Sequence, residues 1–196
     1  MNGKFSDPQR DLYNAVLNVH RSCVSLCRED AGLSLDRLHN VAETGLRDQL
    51  IQLGFDVSGG VGLSVFFSGF SSTDHDQAMG ILFPHHLGHY IGLDVHDCSG
   101  YSRGYNLKAG QCITIEPYVL MTFCDVDHAN NRGSGIYVPD DERWPAQFRG
   151  IGIRIEDSVC VGDDSPIVLT TEAVKEVSDL SRVVGQRKDV LPARLW

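Results

Sequence analysis

Basic residues are scarce in this chain. Seventeen lysines and arginines stand against 26 aspartates and glutamates among 196 residues, a formal charge of -9. A nucleic-acid partner draws on a basic footprint, so DNA and RNA are excluded as partners. Long apolar runs are missing as well: none approaches the roughly 18 residues that would span a bilayer, and no membrane partner is expected. The first residues, MNGKFSDPQRD, have neither the hydrophobic core of a signal peptide nor an arginine-rich amphipathic pattern, so no targeting segment is read. The six cysteines (Cys23, Cys27, Cys98, Cys112, Cys124, Cys160) lack paired C-x-x-C spacing, which excludes a zinc ribbon and a disulfide framework. Cys112 and Cys160 fall in strand-like runs and read as plain buried thiols in a reducing compartment. An H-E-x-x-H helix, a G-x-S-x-G elbow and a lysine-bearing phosphate loop are all absent, as are internal repeats.

What remains is an ordinary globular composition, 42% hydrophobic and 22% charged, long enough for one sizeable core, so residues 1–196 are read as a single domain. Ser6 or Asp7 can cap a first helix with Pro8 in its opening turn. Leu12, Ala15, Val16, Val19, Cys23 and Leu26 then recur at helical spacing to about Arg28. Gly32 breaks that helix. Ser34 can cap a second, carried by Leu35, Leu38, Val41, Ala42, Leu46, Leu50 and Leu53 and stopped at Gly54. From Phe55 to Phe83 no period is legible, which predicts either a short hairpin or loose packing. Ile91, Leu93 and Val95 alternate with Gly92, Asp94 and His96, as Ile113 and Ile115 alternate with Thr114 and Glu116, and both runs read as strands. Pro117 ends the second. Tyr118 to Ser134 reads as an insertion. GIGIRIEDSVCV is a further strand, Pro166 to Thr170 a last short one, and Thr171 is expected to cap a helix from Glu172 to Leu180. Residues 181–196 are read as a frayed tail.

The chemistry concentrates in the histidine-rich stretch Pro84 to Asp97 and in two glutamates set in strand-like runs, Glu116 and Glu156. Burying a carboxylate without a partner costs several kcal/mol, so two such groups on neighbouring strands need a cation or an arginine. Arg154, on the same strand face as Glu156, is one candidate; a divalent metal shared with histidine is the other. His89 begins the first predicted strand, and Gly88 and Gly92 permit a local turn that brings His85 near it. An extended strand of about 3.3 Å per residue would set His96 on the order of 20 Å from His89, beyond a shared ligand shell. His20, His39, His75 and His128 read as solvated, and His86 as a bystander.

HHLGHYIGLDVHD, LKAGQCITIEP, GIYVP and FRGIGIRIEDSVCV, in that order, closely resemble Xaa-Pro aminopeptidase, above all its mitochondrial branch. That enzyme belongs with aminopeptidase P, prolidase and methionine aminopeptidase. NGKFSDPQRDLYNAVL resembles the segment that follows the family's early metal-binding strands. The resemblance implies the C-terminal portion of a pita-bread (creatinase/aminopeptidase-like) α/β (α+β) fold, a mixed antiparallel sheet with flanking helices. It implies a metalloprotease that hydrolyses the N-terminal Xaa-Pro bond, with two divalent ions, manganese foremost, in the intact site. His89, Glu116 and Glu156 match the metal ligands, Glu156 bridging. His85 and His96 match histidines on the substrate side, Glu116 also assists proton transfer, and Arg154 supports the ligands from behind. The implied partners are peptides with proline second and further copies of the chain, and the implied compartment is the mitochondrion.

The family also supplies two aspartates, and a further substrate-side histidine, from strands that precede NGKF, and this sequence starts after them. Two divalent ions bring twice the charge that Glu116 and Glu156 can answer, so the expectation is a fragment with at most one weakly held ion and little turnover. The family pattern also runs directly from E-P into GIYVP, whereas residues 118–134 intervene here. A catalytically inactive pita-bread binding module, or a nonfunctional truncated product, is the alternative expectation.

Overall fold

The computed structural model describes residues 4–57, 77–94, 96–98, 100–121 and 144–185. The first two predicted helices form as expected. Helix α1 (Asp7–Ser25) resolves the choice of cap in favour of Ser6, whose hydroxyl accepts from the Gln9 amide while the Gln9 side chain accepts from the Ser6 amide, a reciprocal cap that satisfies two free donors. Helix α2 (Leu35–Gln52) is capped by Ser34, which accepts from the Arg37 amide. Leu12, Val16, Leu35, Leu38, Leu46 and Leu50 are fully buried where the two helices pack on one another, whereas Val41, read as part of the second stripe, is exposed. Of the aperiodic stretch, residues 58–76 lie outside the described set; Phe55 and Val57 are buried, and a short helix α3 (Gln77–Leu82) buries Ala78, Met79 and Leu82.

Strands β1 (Cys112–Ile115) and β4 (Asp157–Cys160) pair antiparallel, with Cys112 opposite Cys160 and Ile115 opposite Asp157. Strands β2 (Tyr118–Leu120) and β3 (Gly152–Arg154) pair in the same register, Tyr118 opposite Arg154. The Ile155 amide donates to the Pro117 carbonyl between the two ladders, so the four strands form one antiparallel ribbon. Its interruption falls at Glu116–Pro117, where proline has no amide to give. A short strand β5 (Ile167–Val168) flanks β4. The other edge of β1 is covered by residues 87–91: the Glu116 amide donates to the Leu87 carbonyl, the Thr114 amide to the His89 carbonyl, and the Ile91 amide to the Cys112 carbonyl. Gly88 is required there, because a Cβ on it would lie 1.9 Å from the Thr114 carbonyl oxygen.

Alternation gives the ribbon two faces. Ile113, Ile115, Asp157 and Val159 are buried, on the side that packs against α1. The residues between them, Cys112, Thr114, Glu116, Glu156, Ser158 and Cys160, share the other side.

Three expectations are corrected. Residues 91–94 do not form a strand: they bend, and Leu93 is fully exposed. The cause is Asp97, whose carboxylate accepts from the amides of Leu93, Asp94 and Cys98 and so draws the backbone out of a ladder. Gly92 makes room for it, since a Cβ there would meet Asp97 Oδ2 at 2.1 Å. Val95 lies outside the described residues. The C-terminal helix, α4, runs Val177–Gly185 rather than from Glu172, because Thr170 and Lys175 are drawn to Asp157 and hold the intervening chain in turns. It also takes in the first five residues of the expected tail; 186–196 are outside the described set. Finally, His20 and His39 are not solvated: His20 is 3% exposed and His39 is half-buried. Of the expected insertion, Tyr118–Leu120 continue the ribbon as β2, and 122–134 are not described, nor are GIYVP, His75, His128 and Cys124. Among the described residues no helix is long and apolar enough to cross a membrane.

Candidate metal centre

The cover strand and β1 together bring His89 to Glu116. The His89 amide donates to Thr114 Oγ1 at 3.0 Å, and that hydroxyl in turn donates to Glu116 Oε1 at 3.1 Å. The imidazole then lies with Nε2 3.4 Å from Glu116 Oε1, both side chains largely buried, at 17% and 14% exposure. His89 Nδ1 lies 3.0 Å from the Tyr90 carbonyl oxygen. A carbonyl only accepts, so Nδ1 carries the proton, and in the neutral ring Nε2 presents a bare lone pair to the carboxylate. Two acceptors face each other there, an arrangement that invites a cation or a second ring proton.

Glu156 is the third expected ligand. The ribbon's register places it directly opposite Glu116, but its side chain is exposed. Like charges at directly opposed positions of an antiparallel pair repel. What compensation exists comes from Arg154, whose Nη1 is 3.4 Å from Glu116 Oε2. Its guanidinium stacks 4.8 Å over the Tyr118 ring. Arg154 thus pairs across the ribbon with Glu116 rather than along its own strand with Glu156. Among the described residues, no group of three or more His, Cys, Asp or Glu side chains converges in metal-holding geometry. His89 and Glu116 therefore fit one edge of a divalent ion's shell, with an imidazole nitrogen and a hard oxygen, while Glu156 is adjacent by register and turned to solvent.

The bend at residues 92–94 alters the expected place of His96. Its ring packs edge-on against His89, centroids 4.9 Å apart at 89°, instead of lying a strand's length away. His85 is exposed; its amide donates to Tyr118 Oη at 2.6 Å and its ring sits 5.5 Å from the Tyr118 ring. Tyr118 therefore touches both His85 and Arg154, and burial, the largest influence on it, pushes its phenol well above the ordinary range.

Sequence reasoning missed the residues beneath this stretch. His86 is no bystander: Nε2 is 3.2 Å from Asp36 Oδ1 and Nδ1 is 3.0 Å from the Gly88 carbonyl oxygen, and the ring stacks on His39 with centroids 4.7 Å apart. His39 Nδ1 accepts from the Leu87 amide at 3.2 Å, so helix α2 holds the backbone from which His89 projects. Burial, followed by the neighbouring His86, lowers the His39 pKa to about 4; burial likewise lowers that of His86. The available signal was spacing: His39 lies four residues after Leu35, within α2's buried stripe, just as His20 lies four after Val16 in α1.

The profile of metallopeptidase family M24 matches residues 1–163. Intermediate cleaving peptidase 55 of Saccharomyces cerevisiae is 41% identical over 182 residues, covering 93% of this chain and 29% of that protein. Xaa-Pro aminopeptidase 3 of Homo sapiens is 35% identical over 187 residues, covering 95% and 31%. The chain thus spans under a third of the length of these relatives. The crystal structure of Saccharomyces cerevisiae Icp55 bound to the inhibitor apstatin superposes with a TM-score of 0.70 at 40% identity, covering 94% of this chain and 37% of that one. The fold is accordingly the pita-bread α/β arrangement that the motifs imply.

Proposed function

Because the chain belongs to metallopeptidase family M24, whose members are divalent-metal enzymes, we propose that this region contributes His89, Glu116 and Glu156 as the ligand set of an aminopeptidase acting on Xaa-Pro peptides. The observation that carries the reading is the carboxylate pair opposed across the ribbon, with His89 Nε2 3.4 Å from Glu116 Oε1. His89, Glu116 and Glu156 would hold a divalent ion, manganese in our reading, which would supply Lewis-acid polarisation of the scissile carbonyl. The chain's own residues do the rest. Thr114 and Arg154 hold one oxygen each of Glu116, fixing the carboxylate's plane while it handles a proton. His96, packed edge-on against His89, and His85, seated on Tyr118, face the substrate side, where an imidazole can donate to the developing oxyanion or to the departing prolyl nitrogen. The compartment is the mitochondrion.

With these three ligands alone, the chain binds a single ion weakly and turns over little. The exposure of Glu156 favours a second reading, an inactive module in which Arg154 compensates Glu116 permanently. Calorimetric titration of manganese into the purified chain, alongside release of the first residue from an Xaa-Pro peptide, decides between them. The ligand reading expects one weak site, abolished by His89→Ala and by Glu116→Gln. Heat changes absent from the unaltered protein, or unaffected by both substitutions, would leave the inactive module standing.

A further inference from the structure

Cys112 and Cys160, which read as plain buried thiols, occupy directly opposed positions on β1 and β4. Both are half-exposed free thiols. The ladder around them identifies the kind of pairing. The Val161 amide donates to the Gln111 carbonyl at 2.8 Å and the Gly110 amide to the Val161 carbonyl at 2.8 Å, so the narrow hydrogen-bonded pair falls one step earlier. The Cys112 carbonyl is turned the other way, accepting from Ile91 at 2.9 Å. Cys112 and Cys160 are therefore a non-hydrogen-bonded pair, the type in which Cα atoms approach to about 4.5 Å and side chains on the shared face are closest. That separation is at the short end of the range of about 4.4–6.8 Å that a disulfide spans.

We propose that Cys112 and Cys160 form a reversible dithiol–disulfide site, oxidised by small-molecule disulfides of the glutathione class, that clamps β1 to β4. Either cysteine can open the exchange; written from Cys160, its thiolate displaces one thiolate from the small disulfide, breaking that S–S bond and forming a mixed disulfide. Cys112 then attacks the Cys160 sulfur, expelling the second small thiolate. The two cysteines lose two electrons and two protons, and the oxidant leaves as two thiols. No fixed order is needed, because both thiols are half-exposed and directly opposed. Bridging so close a pair of strands strains the link, and strained disulfides are the readily reduced ones. The remaining described cysteines are unsuited: Cys23 and Cys27 are fully buried in the helical core with their thiols pushed up to about 12 by burial, and Cys98 stands alone on an exposed turn.

The test is incubation of the whole chain in graded mixtures of oxidised and reduced glutathione, followed by acid quenching, alkylation and peptide mass spectrometry. We expect a Cys112–Cys160 linked peptide to become the majority species as the oxidised form rises, and to revert fully on returning to reduced glutathione. Cys112→Ser should instead retain a glutathione adduct on Cys160, and Cys98→Ser should leave the linkage unchanged. Circular dichroism of each variant confirms that the fold persists. Independent glutathione adducts on both residues of the unaltered chain, a link through Cys98, or no linked peptide at full oxidation would each overturn the proposal. The outcome does not depend on whether the chain binds metal.

Discussion

The two faces of the same ribbon treat acidic side chains in opposite ways. On the helix-covered face, Asp157 is 4% exposed and its charge is answered: Lys175 Nζ lies 2.9 Å away and the Thr170 hydroxyl donates to the same oxygen. On the open face, one residue away in sequence, Glu156 has no partner among the described residues. Glu116 opposite it shares a half-exposed arginine and the His89 imidazole, whose Nε2 is 3.4 Å away. A carboxylate placed for stability is neutralised where it is buried; a carboxylate placed for chemistry keeps capacity for a charge that the protein does not supply. The contrast distinguishes the two faces without reference to any relative.

The sharpest way to break this comparison is to uncover the buried charge. Replacing Lys175 with Met leaves Asp157 uncompensated in the core and is expected to cost about 3 kcal/mol of unfolding free energy, read by urea denaturation at pH 7.5. His20 supplies a further check. Its Nε2 is 3.2 Å from Asp157 Oδ2, a distance that alone suggests an ion pair, but neither ring nitrogen is aligned for a hydrogen bond. Burial, the largest influence, lowers its pKa, with Asp157 opposing and Lys175 reinforcing. Since Lys175 already provides the cation, His20 is neutral in the folded protein. Without Lys175 it can charge in its place, so the variant should recover part of its loss as the pH is lowered. A cost below about 1 kcal/mol would show that the helix-covered face does not depend on this pair.

Acid should weaken the protein for a related reason. The pKa of His39 is about 4 against an ordinary 6.5, and those of His20 and His86 are also lowered, burial leading in each case. As pH falls, the unfolded chain takes up these protons first. The stability that the neutral rings contribute is therefore complete above pH 6.5 and lost as the pH approaches 4, on the order of 1–3 kcal/mol for His39. His39→Gln keeps an acceptor for the Leu87 amide and should flatten this part of the profile; an unchanged slope would mean that the ring is already charged when folded.

These residues also show where the sequence was legible. Both long helices could be read because their stripes and caps are local, and the same stripes held the signal for His20 and His39, obscured by treating histidine as a surface residue. The run from Ile91 to His96 misled because alternation is a weak signal over six residues, and one carboxylate, Asp97, outcompeted the ladder for its amides. The opposition of Glu116 with Glu156, and of Cys112 with Cys160, could not be read at all. Register belongs to two segments about 40 residues apart in sequence, and nothing within either segment states which residues will face each other.

The carboxylate pair gives a smaller effect of opposite sign. With chelator present, Glu156→Gln removes a like charge facing Glu116 and should stabilise the chain by a few tenths to about 1 kcal/mol. Adding manganese should raise the midpoint of the unaltered chain by thermal denaturation and leave the variant's nearly unchanged, because a ligand that binds only the folded state adds stability in proportion to its occupancy. Destabilisation by Glu156→Gln in chelator would instead mark Glu156 as a structural acid, like Asp157.

Arg154 should matter less to stability than Lys175, and that is what makes it informative. It is 48% exposed and 3.4 Å from Glu116, so the ion pair is largely screened and contributes at most about 1 kcal/mol. Its stacking on Tyr118 adds about as much at an exposed site. Arg154→Ala is therefore expected to cost at most about 2 kcal/mol of unfolding free energy, less than the loss of Lys175, and to tighten manganese binding by removing the competing cation. If the same substitution proves as costly as losing Lys175 and leaves metal affinity unmoved, the open face is compensated after all. Glu116 would then be held as Asp157 is held, and the inactive module would be the better account of this chain.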